Sequence, residues 1–220
     1  IEGIVPSTEW KRRRTGEKWY AGETISVAIG QGQLSVTPIS LAVMMSTIAN
    51  GGVRHVPHLV KAVNDGSGWK DVPAPAPLHV LPMRPENVAA LRDGLWMVVN
   101  GQGTGTRARI PGRDVAGKTG TAQVISLSGG RQAAGRTDRD LRDHGWFLFF
   151  APATNPEVAG VMFAEHSEHG YLAAPIARHM METYFAKKEG RPLPAYPAPP
   201  AGTVVAGVPP APPRPAGPDE

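Results

Sequence analysis

Three stretches with strand character follow one another with no helical pattern between them: DVAGKTGTAQV (residues 114–124), HGWFLFFAP (144–152) and EVAGVMFAEH (157–166). A parallel pair needs a long crossover connection, usually a helix, so consecutive strands without one form an antiparallel sheet. The intervening ATNP (153–156) puts Asn and Pro at a hairpin turn. A helical pattern, APIARHMMETYFAKK (174–188), closes the series. Pro175 opens it, Ile176, Met180 and Tyr184 are expected to face inward, and Lys187 and Lys188 suit the negative end of the helix dipole. The expected class is α+β, an antiparallel sheet covered by helices. A doubly wound nucleotide fold is excluded, and neither GQGQ (30–33) nor GQGTGT (101–106) has the Gly-Lys-Ser/Thr ending of a phosphate loop.

The covering helices come from upstream. In TPISLAVMMSTIANGG (37–52) Thr37 is an N-cap, Pro38 takes the first helical position, and Gly51 or Gly52 stops the helix. Leu41, Met44, Met45 and Ile48 give it an apolar face. VRHVPHLVKAV (53–63) reads as extended, and the turn NDGSG (64–68) with a short strand at Trp69–Val72 makes a hairpin. A second helix is expected over Pro85–Asn100, with Val88, Leu91, Leu95 and Val98 on one face. From Gly190 the chain becomes so rich in proline that backbone donors are lost and polyproline II is favoured, so residues 190–220 are expected to be a disordered tail to a folded part spanning 1–189.

The chain of 220 residues begins IEGIVPSTEW, without methionine. It carries no signal-peptide pattern and no apolar run near the length of a membrane span. It is therefore expected to be a piece of a longer protein, with export or anchoring signals upstream. The absence of cysteine excludes disulfides and thiol chemistry. A net charge of +4 suits several anionic partners, but KRRR (11–14) reads as a solvated loop. No helix-turn-helix or aromatic-rich pattern accompanies it, so no nucleic acid is expected.

The chemistry concentrates in 114–124. Glycine weakens a strand interior and marks a bulge or a place where something must come close, and both Gly117 and Gly120 stand there. The two-residue period puts Lys118 with Ala116, Gly120 and Ala122 on one face and Thr119 and Thr121 on the other. Two readings fit: an edge strand protected by its lysine, or an anion-binding edge able to pair with an extended peptide.

Lys118-Thr119-Gly120-Thr121 resembles the Lys-Thr-Gly element of penicillin-binding proteins and serine β-lactamases. The segment WKRRRTGEKWYAGETISVAIGQGQLSVTPISLAVMMSTIANGG, together with HGWFLFFAP and AEHSEHGYLAAPIARHMMETYF, is similar to class B penicillin-binding proteins, especially their elongation-type penicillin-binding protein 2 branch. The resemblance runs over about residues 1–188 in the family's order. It implies the transpeptidase fold shared with serine β-lactamases, in its C-terminal portion only, and a peptidoglycan DD-transpeptidase that passes an acyl group from one stem peptide to another through a serine. It further implies a protein at the periplasmic face of the bacterial inner membrane, anchored upstream, working with cell-wall elongation proteins and bound by β-lactams, with no cofactor. In residue terms, it implies that Lys118 supplies positive charge and helps proton movement, and that the hydroxyls of Thr119 and Thr121 bind the substrate carboxylate. The Thr121 N–H would be an oxyanion-hole donor, and Gly120 would keep the strand open.

The departure from the family pattern is that neither Ser-x-x-Lys nor Ser-x-Asn is present in usable form. Ser67-Gly68-Trp69-Lys70 has the first spacing, but it falls in a Gly-rich turn where the motif needs a helix. The nucleophile is expected in an upstream half, leaving this chain inert alone and the apolar surface of Trp146–Phe150 exposed. The alternatives kept open are an inactive penicillin-binding sensor of the same fold, a DD-carboxypeptidase and a β-lactamase. Glu165, His166, Glu168 and His169 have metal-ligand chemistry but bridge a strand end and a loop, so no metal is expected. His55 and His58 read as strand residues, and no Ser-His-Asp arrangement is recognisable. Trp10, Trp19 and Trp146 read as packing anchors.

Overall fold

A computed structural model describes residues 3–124 and 142–196. Helices α1 (Thr8–Thr15), α2 (Ala21–Ala28) and α3 (Pro38–Ala49) come first. Short strands β1 (Val53–Arg54), β2 (Ala62–Asn64), β3 (Trp69–Asp71) and β4 (His79–Val80) lead to α4 (Pro85–Asn100). The remainder is β5 (Ala116–Ala122), β6 (His144–Ala151), β7 (Val158–Ala164) and α5 (Ala174–Lys188). Strands β5, β6 and β7 form one antiparallel sheet in that order, as the unbroken run of strands required. The expected hairpin is β2–β3, while the β1–β4 pair had no sequence signal.

The sheet is covered on both faces. Phe147 and Phe149 of β6 pack with Ala177, Met181 and Phe185 of α5, and with Val99 at the end of α4. On the other face Phe150 packs with Met45 and Ala49 of α3, flanked by Leu95 of α4. Phe147, Phe149 and Phe150 are all buried, so the exposed surface expected at Trp146–Phe150 is not found. Helices encoded within this chain supply both covers, and the cover thins toward Leu148, Trp146 and His144, which are half-buried, and toward Phe163 of β7, which is exposed. Exposed apolar side chains include Ile25 of α2, Ile29 just after it, and Ile39 and Met44 of α3.

Three helix faces differ from expectation. In α4 Leu91 is exposed, and Val99, outside the expected stripe, is the buried residue. In α5 the stripe Ile176–Met180–Tyr184 is partly exposed, and the neighbouring stripe Ala177–Met181–Phe185 is buried. Both have the helical period, and the one opening with alanine lets the helix axis come closer to the phenylalanines of β6. In α3 Met44 is exposed, while Met45 and Ala49 face the sheet and the Thr47 hydroxyl is satisfied by the Val43 carbonyl at 2.7 Å.

The KRRR run is helix, not loop. Ser7 caps α1 by accepting from the Trp10 amide (3.1 Å), and Gly16 ends it with a left-handed φ of 75°. Arg12, Arg13 and Arg14 sit in the last turn, where positive charge complements the helix dipole. Lys11 turns inward: it is 4% exposed, bonds Glu23 at 2.9 Å and lies over the Tyr20 ring. Glu23 also accepts from the Tyr20 amide at 2.7 Å, so one carboxylate starts α2 and ties it to α1.

The α4 C-terminus is closed by Arg109, whose guanidinium donates to the carbonyls of Val99, Asn100 and Gly101. Asn100 donates to the Val115 carbonyl at 2.7 Å and so fixes the start of β5. Residues 190–196 run beside α5: the Arg191 amide donates to the Ala186 carbonyl at 2.9 Å, and the Tyr196 ring meets His179 edge-on. The greater part of the proline-rich tail, residues 197–220, lies outside the described residues.

Candidate active-site strand

Strand β5 is an edge of the sheet, and its register with β6 runs without a bulge from Ala116 opposite Phe150 to Ala122 opposite His144. The two glycines therefore answer to close approach. A Cβ at Gly117 would come 2.7 Å from Phe147 Cζ, and one at Gly120, which also lines a cleft, would come 3.3 Å from Trp146 Cβ.

The free edge is decided by two hydrogen bonds from outside the ladder. Gln31 Nε2 donates to the Thr121 carbonyl at 2.7 Å, and Lys118 Nζ donates to the Thr119 carbonyl at 2.9 Å. A strand residue points its N–H and C=O to the same side, and sides alternate along the strand. The amides of Thr119 and Thr121 therefore also face outward, while Lys118 and Gly120 use theirs against β6. The Lys118 side chain starts from the ladder-paired position and folds over the edge, which puts its ammonium beside the outward groups. Thr121 is exposed and Thr119 half-buried.

Three segments hold this edge. The loop after α2 supplies Gln31. The loop after α4 supplies Thr104, whose hydroxyl lies 2.6 Å from that of Thr119. The third is the strap after β7, which is tied to the start of β6 by the His166 amide to His144 Nδ1 (3.0 Å) and the Glu168 amide to the Asp143 carbonyl (2.8 Å), and which packs Gly170 against the Gly120 backbone. On the Lys118 face a cavity of ≈ 360 Å³ opens beside Gly120, Thr121 and Trp146, walled by Ile29, Leu34 and Leu41. A larger apolar cavity of ≈ 700 Å³ lies between α3, α4 and the β1–β4 region and contains none of the motif residues.

Residues 6–182 match the penicillin binding protein transpeptidase domain. The chain belongs to the penicillin-binding protein transpeptidase family. It is 37% identical to a peptidoglycan D,D-transpeptidase MrdA of Acinetobacter baumannii, over 94% of this chain and 31% of that protein. Among solved structures it is similar to Pseudomonas aeruginosa penicillin-binding protein 2 in complex with WCK 5153, with a TM-score of 0.68 and 35% identity over 86% of this chain and 38% of that one. It is also similar to penicillin-binding protein 2 of Helicobacter pylori, solved in complex with MreC, with a TM-score of 0.63 and 29% identity over 84% of this chain and 31% of that one. The chain thus spans under a third of the length of the curated relatives it matches. The α+β transpeptidase fold read from the strand order and the Lys-Thr-Gly element is the fold of these neighbours.

Within this penicillin-binding domain the structure brings Lys118, Thr119, Gly120 and Thr121 to one edge and adds Gln31 and Thr104, which the sequence did not single out. Gln31 sits in GQG, and a side-chain donor flanked by two glycines was the available signal. Ser67 and Lys70 do not form a nucleophile pair. They lie on the β2–β3 hairpin, and both side chains bond Asp65, at 2.6 and 2.7 Å. Those bonds, Lys70's foremost, draw the Asp65 carboxyl down to about 2. The His166 ring lies tilted against His144, Glu168 pairs with Arg142, and His169 stacks on Tyr171. Among the described residues no three His, Asp or Glu side chains come together as a metal site, and no helix is long and apolar enough to cross a membrane.

Proposed function

We propose that this chain is the C-terminal part of a peptidoglycan DD-transpeptidase, with the acyl-accepting serine in an upstream half of the same protein. The observation that carries the reading is the outward Thr121 amide on an edge strand with the Lys118 ammonium folded over it. An N–H fixed on a strand and aimed at a developing oxyanion stabilises the tetrahedral intermediate without reorganisation. The serine Oγ attacks the penultimate D-Ala carbonyl, and the oxyanion accepts from the Thr121 N–H. Collapse breaks the peptide bond, and the terminal D-Ala leaves with the proton on its amine. Lys118 contributes positive charge beside the serine and a route for that proton. The hydroxyls of Thr119 and Thr121 take the substrate's terminal carboxylate, and Gly120 keeps the cleft side open. A neighbouring stem's amine then attacks the acyl-enzyme carbonyl, the acyl–Oγ ester bond breaks, and the amine's proton returns to the serine Oγ as the cross-link amide forms.

β-Lactams occupy the same edge, and the protein works at the periplasmic face of the inner membrane with cell-wall elongation proteins. The relatives' names support the peptidoglycan substrate, and the Helicobacter pylori relative is solved in complex with MreC. A fluorescent penicillin tests it. The isolated 220-residue chain should stay unlabelled on a denaturing gel, and the upstream half supplied in trans should acquire the label. Covalent label on the isolated chain would overturn the assignment of the nucleophile. An unlabelled full-length protein would overturn the transpeptidase reading.

A further inference from the structure

We propose that Thr104 is a positioning residue that turns the Thr119 hydroxyl toward the substrate carboxylate. The inference rests on the reading that Thr119 binds that carboxylate. The two hydroxyl oxygens lie 2.6 Å apart, and either atom is able to donate. A hydroxyl has one proton and two lone pairs. If Thr119 donates to Thr104, its proton is used inside the protein, and it offers only lone pairs to an incoming anion. If Thr104 donates to Thr119, the Thr119 proton is free to point outward. A carboxylate accepts only, so it selects the second arrangement. The chain Thr104 to Thr119 to carboxylate is then cooperative, each bond polarising the next.

The placement of Thr104 is built, not incidental. It stands between two glycines held against α4 and the sheet. A Cβ at Gly103 would come 2.5 Å from the Val98 backbone, and one at Gly105 would come 3.1 Å from Phe147 Cε2. The buried Gly105 amide donates to the Val98 carbonyl at 3.0 Å, closing the turn. Only residues without a side chain pack that closely on either side, so the turn holds Thr104 over Thr119 with little freedom to swing away. Thr104 touches neither the reacting carbonyl nor the serine. It acts through Thr119.

The experiment is stopped-flow acylation of the full-length protein by benzylpenicillin and by its methyl ester, which lacks the anionic carboxylate. Thr104→Val should lower the second-order rate constant for the acid about tenfold, the upper end of the range for one neutral hydrogen bond, and leave that for the ester unchanged. Thr104→Ser keeps the hydroxyl and should restore the acid rate to within about threefold of wild type. Equal loss for acid and ester, an unchanged acid rate in the valine variant, or a serine variant as slow as valine would each overturn the proposal. A wild-type protein that reacts equally with acid and ester would overturn the carboxylate role of Thr119 itself, so the two failures are separable.

Discussion

Gln31 and Thr121, ninety positions apart in the chain, are joined by a 2.7 Å hydrogen bond from the Gln31 side-chain amide to the Thr121 carbonyl. The bond fixes the outer end of β5 from the loop that links α2 to α3. An unsupported edge strand would let the peptide plane rock, and the direction of the Thr121 amide with it.

Gln31→Met keeps the length of the side chain and removes its donor. Acylation by penicillin in the full-length protein should slow about fivefold, the net worth of one neutral hydrogen bond. The melting temperature should move by less than about 3 °C, since one exposed bond is a small part of the total. An unchanged acylation rate would remove Gln31 from the supports of the site.

Lys118→Ala should lower β-lactam acylation by roughly two to four orders of magnitude, the scale of a positioned proton-transfer or electrostatic group. Lys118→Arg keeps the charge but cannot give up a proton, and should fall between the two. Stopped-flow rates within about threefold of wild type for the alanine variant would rule out the role assigned to Lys118.

The Glu23 carboxyl is held below its usual range, first by the Tyr20 amide and then by Lys11. A depressed folded-state value means stability that is present above the unfolded carboxylate value and lost as pH falls through the folded one. Lys11 is shifted upward, chiefly by its hydrogen bond to Glu23, so its share is complete below the ordinary lysine value and lost only as pH rises through the raised one. Glu23→Gln should therefore melt below wild type at pH 7, and the gap should close in acid. Calorimetry showing a gap that widens toward low pH would contradict this linkage.

The chain end separates into two truncations. Removing residues after Tyr196 should leave the melting temperature and acylation unchanged, the outcome expected from a composition so rich in proline. Removing residues after Glu189 also deletes the Arg191–Ala186 bond and the Tyr196–His179 contact. It should lower the melting temperature by about 2–4 °C, the equivalent of roughly 1 kcal/mol in a domain of this size. Identical melting of the two truncated chains would show that residues 190–196 add nothing.

The sequence by itself determined the elements whose signals are local. Thr37 and Pro38 announced α3, and the extent of α4, from about Pro85 to Asn100, was legible from its period. The strand–strand–strand–helix order settled the antiparallel sheet, and Lys118-Thr119-Gly120-Thr121 lies on its first strand, β5. The cap signals of α1 were also present, in Ser7, Glu9 and Gly16, but the charge of KRRR obscured them. What only the tertiary structure decided was which of two equally periodic stripes a helix buries, because that depends on the shape of the opposing surface. In α5 the phenylalanines of β6 selected Ala177–Met181–Phe185 over Ile176–Met180–Tyr184. The supports of the site were hidden for a related reason: Gln31 and Thr104 reach β5 from loops distant in sequence. Hydrogen bonds between such loops and a strand edge leave no period in the chain, since they exist only once packing has brought the segments together.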